Sequence, residues 1–140
     1  MTKKVQVPVT MDETSGLDMR IDRPEGATVV RLGGDLDLAS CEWFRRAATD
    51  DLLQGLVILD LASVSFCDSA GLRVLLDLQR RANGRANGRV AGRANGRVAG
   101  FRLAGPSAEV GRLLELSGAD GCFDVFPDVA AALAVPAGRG

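Results

Sequence analysis

The chain has 140 residues, of which 46% are hydrophobic and 25% are charged, and its formal net charge is -1. These values are typical of one globular domain whose core needs no disulfide or metal, and they give no global electrostatic reason to expect a nucleic acid or an anionic membrane as a partner. The sequence contains no histidine, which excludes Ser-His-Asp and Cys-His catalysis, histidine-ligated metals and a histidine pH switch.

Two strands open the predicted domain and are expected to pair as a hairpin. Residues 17–23 alternate between apolar and polar side chains, and a second strand starts at residue 28 and runs into a loop at 33–37. Asp37 can cap the helix that follows, which ends near Gly55. Apolar residues recur in this helix at every third or fourth position and predict a buried stripe: Leu38, Cys41, Phe44, Ala48 and Leu52.

The middle of the chain predicts a buried strand, a long helix and a further strand. Residues 56–61, LVILDL, form the continuous apolar run that is typical of a central strand covered on both faces. The helix at residues 70–82 has a wide apolar face, with Arg80 and Arg81 near its C-terminal end, where cations suit the helix dipole. Residues 101–105 predict the next strand.

The last third continues the alternation of helices and strands. Ser107 caps a helix that ends at Gly118, residues 122–126 form a short strand, and Asp128 starts a small helix that reaches Leu133. This order predicts the α/β class: a single domain with a mostly parallel mixed sheet, an antiparallel N-terminal edge strand and about four helices.

A repeat interrupts the order of elements after the long helix. RANG at residues 81–84 is followed by RANGRVAG at 85–92 and by RANGRVAG again at 93–100. A helix is disfavoured here, because each glycine costs it about 1 kcal/mol and arginines four residues apart repel one another. We therefore predict a mobile loop inserted at about 84–97 in a domain that spans 15–135, with flexible tails at 1–14 and 136–140.

The cysteines and the apolar segments of the sequence indicate neither a metal or disulfide framework nor a targeting signal. Cys41, Cys67 and Cys122 are widely spaced, without a CxxC pair, and predict buried thiols rather than disulfides or zinc ligands. No window approaches the roughly 18 consecutive apolar residues of a membrane span, and the N-terminal sequence lacks the apolar core of a signal peptide. We expect a cytoplasmic protein without metal or cofactor.

Asp68 and Ser69 stand between the buried strand and the long helix, and two compatible interpretations apply to them. Either residue type caps a helix by accepting a hydrogen bond from an amide of the first turn. An exposed serine at a helix start is also a good phosphoacceptor, because nearby amides and the dipole tolerate the added charge.

The motif around these two residues resembles the STAS family, in particular the anti-sigma factor antagonists. In LVILDLASVSFCDSAGLRVLL an apolar strand is followed by Asp, Ser, a small residue, Gly and Leu, and that Ser is the phosphorylated residue of the family. RLGGDLDLAS and LLELSGADGCFDVF are similar to two further family segments, and the resemblance covers about residues 17–133 apart from the repeat. It implies a STAS-like fold.

The resemblance also implies a function and a site. Ser69 would be the phosphorylation site, and the partner-binding surface would comprise Ser69 and its neighbours Asp37, Asp68, Ala70, Gly71 and Leu72. The partner would be an anti-sigma factor that is also an ATP-dependent serine kinase, bound by the unphosphorylated antagonist and released on phosphorylation, with a phosphatase to reverse the step. Sigma-factor-dependent transcription would be regulated in this way.

Two departures from the family pattern stand out. Ala70 replaces the second Ser or Thr that many antagonists carry, which leaves one hydroxyl at the switch, and the arginine-rich repeat has no family counterpart.

Other functions remain as alternatives. Single STAS domains also occur as non-switching binding subunits, for example the small subunit of lipid-transport ATP-binding cassette systems. Catalysis is disfavoured, because Ser69 and Cys67 lack a histidine base and Lys3 and Lys4 are the only lysines. Nucleic-acid binding by the repeat is disfavoured, because no aromatic residue interleaves its arginines. Trp43 is either a packing residue or an anchor for a partner.

Overall fold

A computed structural model describes residues 10–11, 16–24, 26–87, 93–94, 97–98 and 100–134 of the chain. The strands are β1 (Thr10–Met11), β2 (Asp18–Asp22), β3 (Ala27–Leu36), β4 (Leu56–Cys67), β5 (Arg93–Ala94), β6 (Arg97–Val98), β7 (Gly100–Ala104) and β8 (Asp124–Phe126). The helices are α1 (Leu38–Ala47), α2 (Ser69–Asn87), α3 (Ala108–Ser117) and α4 (Val129–Ala134), with a 3-10 helix at Ala119–Cys122. None of the helices in these ranges is long and apolar enough to cross a membrane.

One sheet organises these elements, with the strand order β1-β2-β3-β4-β7-β8. The strands β1, β2 and β3 pair antiparallel, whereas β3, β4, β7 and β8 pair in parallel. The predicted fold class is confirmed. The strand β1 falls within the predicted N-terminal tail and adds a short strand outside β2. The rest of both predicted tails lies outside the described residues.

Helices cover both faces of the central strand β4, as its apolar run predicted. Val57, Leu59 and Leu61 belong to the larger buried cluster, which also contains residues of α1, α2 and α3. Ile58 points into a smaller cluster on the opposite face, together with Ala132 of α4. The site described below lies where β3 and β4 meet the first turns of α1 and α2.

The strands β3 and β4 are longer than the sequence predicted. They pair in parallel up to Leu36 and Cys67, through two register irregularities, whereas β7 pairs with β4 only as far as Asp60. The predicted loop at 33–37 is therefore wrong for residues 33–36, because pairing with β4 supplies their hydrogen-bond partners. We call residues 33–36 and 61–67 the β3–β4 overhang. Among the described strands, only β3 pairs with β4 beyond Asp60.

Helix α1 is shorter than predicted, and one residue of its predicted buried stripe is exposed. The helix ends at Ala47 rather than near DDLLQG at residues 50–55, and residues 50–53 form a turn that the Leu52 amide closes by donating to the Thr49 carbonyl. Leu38 is 74% exposed, whereas Cys41, Phe44, Ala48 and Leu52 are buried. Leu38 is the first residue of the helix, and its side chain does not reach the buried core.

Helix α2 continues past its predicted end at Ala82 and enters the repeat. The helix reaches Asn87, so a loop is the wrong prediction for residues 84–87. Extending an existing helix is far easier than starting one, and arginine and alanine favour it enough to offset the cost of one glycine.

The second copy of the repeat has a different backbone conformation. Strands β5 and β6 pair antiparallel, with Arg93 opposite Val98 and Ala94 opposite Arg97. The sequence between them is Asn-Gly, the pair that most strongly favours a two-residue hairpin turn. The remaining residues of the predicted insertion lie outside the described ranges, and its status as an insertion stays a prediction.

Candidate functional site

The carboxylate of Asp68 joins the starts of two helices. Its Oδ1 accepts a hydrogen bond from the Gly71 amide of α2 at 2.9 Å, and its Oδ2 accepts one from the Leu38 amide of α1 at 3.3 Å. The Asp68 amide in turn donates to the Leu36 carbonyl at the end of β3, at 3.3 Å. Asp68 is thus the capping residue of α2, one of the two roles that the sequence allowed, and it also fixes α1 beside α2.

Asp37 caps α1, as predicted, through a reciprocal pair of bonds with Ser40. Its Oδ1 accepts from the Ser40 amide at 3.1 Å, and its own amide donates to the Ser40 hydroxyl at 3.1 Å. The fully buried Ser40 hydroxyl also donates to the Asp35 carbonyl at 2.8 Å, which anchors the cap to β3. The structure therefore brings Asp37 and Asp68 to adjacent helix starts.

Gly71 allows α2 to start directly against the end of β3. A Cβ atom at this position would lie 2.3 Å from the Leu36 carbonyl oxygen and 3.0 Å from the Cys67 sulfur. No side chain fits in that space without moving the backbone, because real Cβ contacts are never so short. The glycine of the sequence motif thus has a packing reason that the sequence did not reveal.

Ser69 is the first residue of α2, and its side chain is exposed. Of the other residues predicted to bind a partner, Asp37, Asp68 and Ala70 are half-buried, whereas Gly71 and Leu72 are buried. The structure therefore brings all six residues to one end of the molecule, and of the six Ser69 alone is classed as exposed. Gly71 and Leu72 can influence a partner by holding Ser69 in place.

Cys67 lies beneath this surface as a neutral thiol. Burial, and after it the negative charges of Asp68 and Asp37, raise the pKa of Cys67 to about 12. The thiol is therefore protonated at neutral pH, although only the thiolate is an effective nucleophile. Nucleophilic chemistry by Cys67 is disfavoured for this reason as well as for the absence of histidine.

A shallow groove runs from Ser69 along the outer side of α2. It is lined by Ser69, Leu72, Arg73, Leu76, Asp77 and Arg80. Asp77 is bonded to Arg45 of α1 at 2.9 Å, a second link between the two helices. The groove is therefore formed by α2 side chains, both apolar and charged, and continues the exposed surface of Ser69.

Two exposed apolar side chains at this end of the molecule were not predicted as site residues. Leu38 is 74% exposed and Phe66, on the overhang, is 46% exposed. Leu38 begins the helix whose first amide bonds Asp68, and Phe66 is two residues before Asp68. The apolar periodicity of α1 had placed Leu38 in the core. Phe66 was missed because the sequence predicted β4 only for residues 56–61, and Phe66 lies in the part of the strand beyond them.

With this geometry in view, the comparison with known proteins identifies the family. The family model described as the STAS domain matches residues 18–132. The chain belongs to the STAS domain family. The match spans both helix starts, the overhang and the groove, so the candidate site is part of the STAS domain itself. No curated protein sequence matches the chain.

Solved STAS-like structures share this fold. An anti-sigma factor antagonist from Mycobacterium paratuberculosis is similar at 20% identity with a TM-score of 0.65, over 92% of this chain and 96% of that chain. The anti-sigma factor antagonist SpoIIAA is similar in its unphosphorylated form at 20% identity with a TM-score of 0.60, over 82% of this chain and 92% of that chain. SpoIIAA of Bacillus in its phosphorylated form gives 21% identity and a TM-score of 0.55, over 82% of this chain and 96% of that chain.

The fold is not restricted to antagonists. A sulfate transporter family protein from Wolinella succinogenes is similar at 19% identity with a TM-score of 0.58, over 79% of this chain and 84% of that chain. Identities this low establish the shared STAS fold and leave the partner to be argued from the site.

Substituting Gly71 by alanine should destabilise the STAS domain, although alanine is normally the better helix former. The added Cβ would push the first turn of α2 away from Leu36, at a cost of about 1–3 kcal/mol in the free energy of unfolding. Gly111 of α3 is the matched control, because its Cβ would meet nothing within 4 Å, and Gly111→Ala should stabilise by about 0.5–1 kcal/mol. Urea unfolding curves of both variants measure the difference, and equal signs would contradict the packing role of Gly71.

Proposed function

We propose that this STAS domain is an anti-sigma factor antagonist that is switched by phosphorylation of Ser69. Unphosphorylated, it binds an anti-sigma factor that is also an ATP-dependent serine kinase, which frees a sigma factor for transcription. Phosphorylated, it lets the anti-sigma factor go, and a phosphatase restores the first state. The observation that carries the proposal is the exposed Ser69 at the first position of α2, directly after the capping Asp68.

The proposed reaction uses only an acceptor from this chain. The Ser69 hydroxyl oxygen attacks the γ-phosphorus of ATP, its proton passes to a base of the kinase, and ADP leaves. The chain offers no histidine, and its Cys67 thiol is protonated, which supports a substrate and binding module rather than an enzyme. Catalysis then belongs to the partner.

Phosphorylation at this position is compatible with an unchanged fold. A phosphate in the first turn of a helix gains about 0.3–1 kcal/mol from the helix dipole. Its repulsion with Asp68 across high-dielectric solvent is of similar size and opposite sign, so the two effects nearly cancel. The SpoIIAA structures support this reasoning, since that relative adopts a similar fold in both phosphorylation states.

The same phosphate is costly at a closed interface. It must lose its water next to the Asp68 carboxylate, and an incompletely compensated buried charge costs several kcal/mol. A loss of about 3 kcal/mol already weakens binding more than a hundredfold. Phosphorylation therefore changes the affinity for a partner far more than it changes the stability of the domain.

Exposed apolar side chains support protein binding at this end of the molecule. Leu38 begins the helix whose first amide bonds Asp68, and Phe66 lies two residues before Asp68 in the chain, so we expect a protein partner that reaches Ser69 to contact this end of the molecule. Fully burying an exposed side chain of this size is favourable by about 1.5–3 kcal/mol, and the gain is smaller for Phe66 because about half of its surface is already buried. The candidate interface thus combines apolar contact area with one hydroxyl whose charge can be changed.

Ser69→Ala should bind the cognate kinase but should not become labelled. The alanine methyl group keeps the size of the side chain and removes the only hydroxyl proposed as acceptor. Incubation with candidate anti-sigma factor kinases and radioactive ATP, followed by mapping of the phosphorylated residue, measures this. Ser107→Ala is the control, because Ser107 is another serine at a helix start, where it caps α3 by accepting from the Val110 amide. Label on another residue, or normal labelling of the Ser69→Ala variant, would refute the assignment. A wild-type chain that none of the kinases labels would favour a non-switching binding subunit.

Leu38→Ser should weaken binding of the anti-sigma factor about tenfold without lowering the melting temperature. Its side chain is 74% exposed, so its removal costs the fold little, whereas a partner loses roughly 1.5 kcal/mol of buried apolar contact. Leu116→Ser is the control, since Leu116 of α3 is 79% exposed and outside the candidate site. Calorimetric titration of the three proteins gives the affinities. If both serine variants bind as tightly as the wild type, Leu38 is not part of the interface.

A further inference from the structure

Arg73 lies on the same side of α2 as Ser69, one turn further along the helix. The two residues are four positions apart in α2 and line the same groove. Side chains with this spacing are stacked on one face of a helix, and long helical side chains lean toward the N-terminus. The guanidinium of Arg73 can therefore reach the space outside the Ser69 hydroxyl.

The carboxylates close to Arg73 already have other partners. Asp77 is paired with Arg45 at 2.9 Å and with Arg80 at 3.6 Å. Asp68 uses its two carboxylate oxygens to accept the Gly71 and Leu38 amides. Within the part of the chain that the structure describes, Arg73 itself forms no ion pair and is exposed. Among the described residues it is thus a cation without a counterion, beside the proposed phosphoacceptor.

We propose that Arg73 is the residue that holds the phosphoryl group of phosphorylated Ser69. The inference rests on the proposed phosphorylation of Ser69 and deepens it by assigning the side chain that stabilises the phosphorylated state. An anion four residues N-terminal to a cation is the favourable order on a helix, and a guanidinium can bond two phosphoryl oxygens at once.

The pair gives the phosphorylated site a defined charge. A phosphoserine carries nearly two negative charges, Asp68 adds a third, and Arg73 offsets one. Arg73 thus offsets the repulsion between the phosphate and Asp68 within the domain. The surface that faces a partner stays anionic, so release on phosphorylation still follows.

The test titrates the phosphate itself. Phosphoserine is incorporated at position 69 of the full chain during synthesis, without a kinase, and the phosphate is titrated by phosphorus NMR in the wild type, Arg73→Gln, Arg73→Lys and Arg80→Gln. A nearby cation favours the dianion, so the wild-type titration midpoint should lie below that of Arg73→Gln by about 0.5 pH unit. Arg73→Lys should restore part of the shift. In 1 M salt the difference should shrink, because exposed charges are screened.

Arg80→Gln is the matched control, since Arg80 lines the same groove but is paired with Asp77. Its midpoint should equal that of the wild type. Equal midpoints for the wild type and Arg73→Gln, or a shift caused by Arg80→Gln alone, would overturn the assignment of Arg73. This test is independent of the proposed function, because the phosphoserine is incorporated during synthesis and no kinase is needed. If no kinase labels Ser69, the proposed switch is refuted, but the result of this titration does not change.

Discussion

The hydrogen bonds that Asp68 accepts from the first turns of two helices set the geometry of the whole candidate site. The carboxylate accepts hydrogen bonds from the amides of Gly71 and Leu38, and a capping side chain of this kind contributes about 0.5–2 kcal/mol. This contact is possible only because β3 and β4 continue as a pair to Leu36 and Cys67, which brings the end of each strand to the start of its helix. Ser69 is the next residue, so its exposure and direction follow from the position of Asp68.

A site built in this way is suited to a change of charge rather than a change of shape. The first turn of α2 has no room to move toward β3, because the backbone of Gly71 already lies against the Leu36 carbonyl. A second link, between Arg45 and Asp77, holds α1 and α2 together about two helical turns further along α2. A phosphate added at Ser69 therefore meets a fixed arrangement of dipoles, carboxylates and cations, and its main effect falls on whatever surface covers it.

Local chemistry made much of this structure predictable. Asp37 and Ser107 were recognised as caps, because a cap needs only a short polar side chain and an amide three residues away. Tertiary contacts decided the features that were not predicted. Exposed Leu38 has the same apolar periodicity as its buried neighbours, and the requirement for Gly71 comes from a carbonyl that is distant in the sequence.

The repeat is where prediction from the sequence failed most clearly. Its sequence RAN is helical at residues 85–87, whereas at the next copy the same sequence begins with the strand β5 at Arg93. An identical sequence with two backbone conformations shows that its surroundings, rather than its propensity, determine the outcome.

The most direct measurement compares the Ser69 protein with phospho-Ser69 protein in two ways, by affinity for the proposed partner, an anti-sigma factor, and by thermal unfolding. The account predicts that the affinity falls more than a hundredfold while the two melting curves nearly coincide, because the phosphate is tolerated in water at a helix start and penalised only when a partner covers it. Equal affinities would contradict the switch. A large fall in melting temperature would show instead that the phosphate breaks the joined helix starts around Asp68.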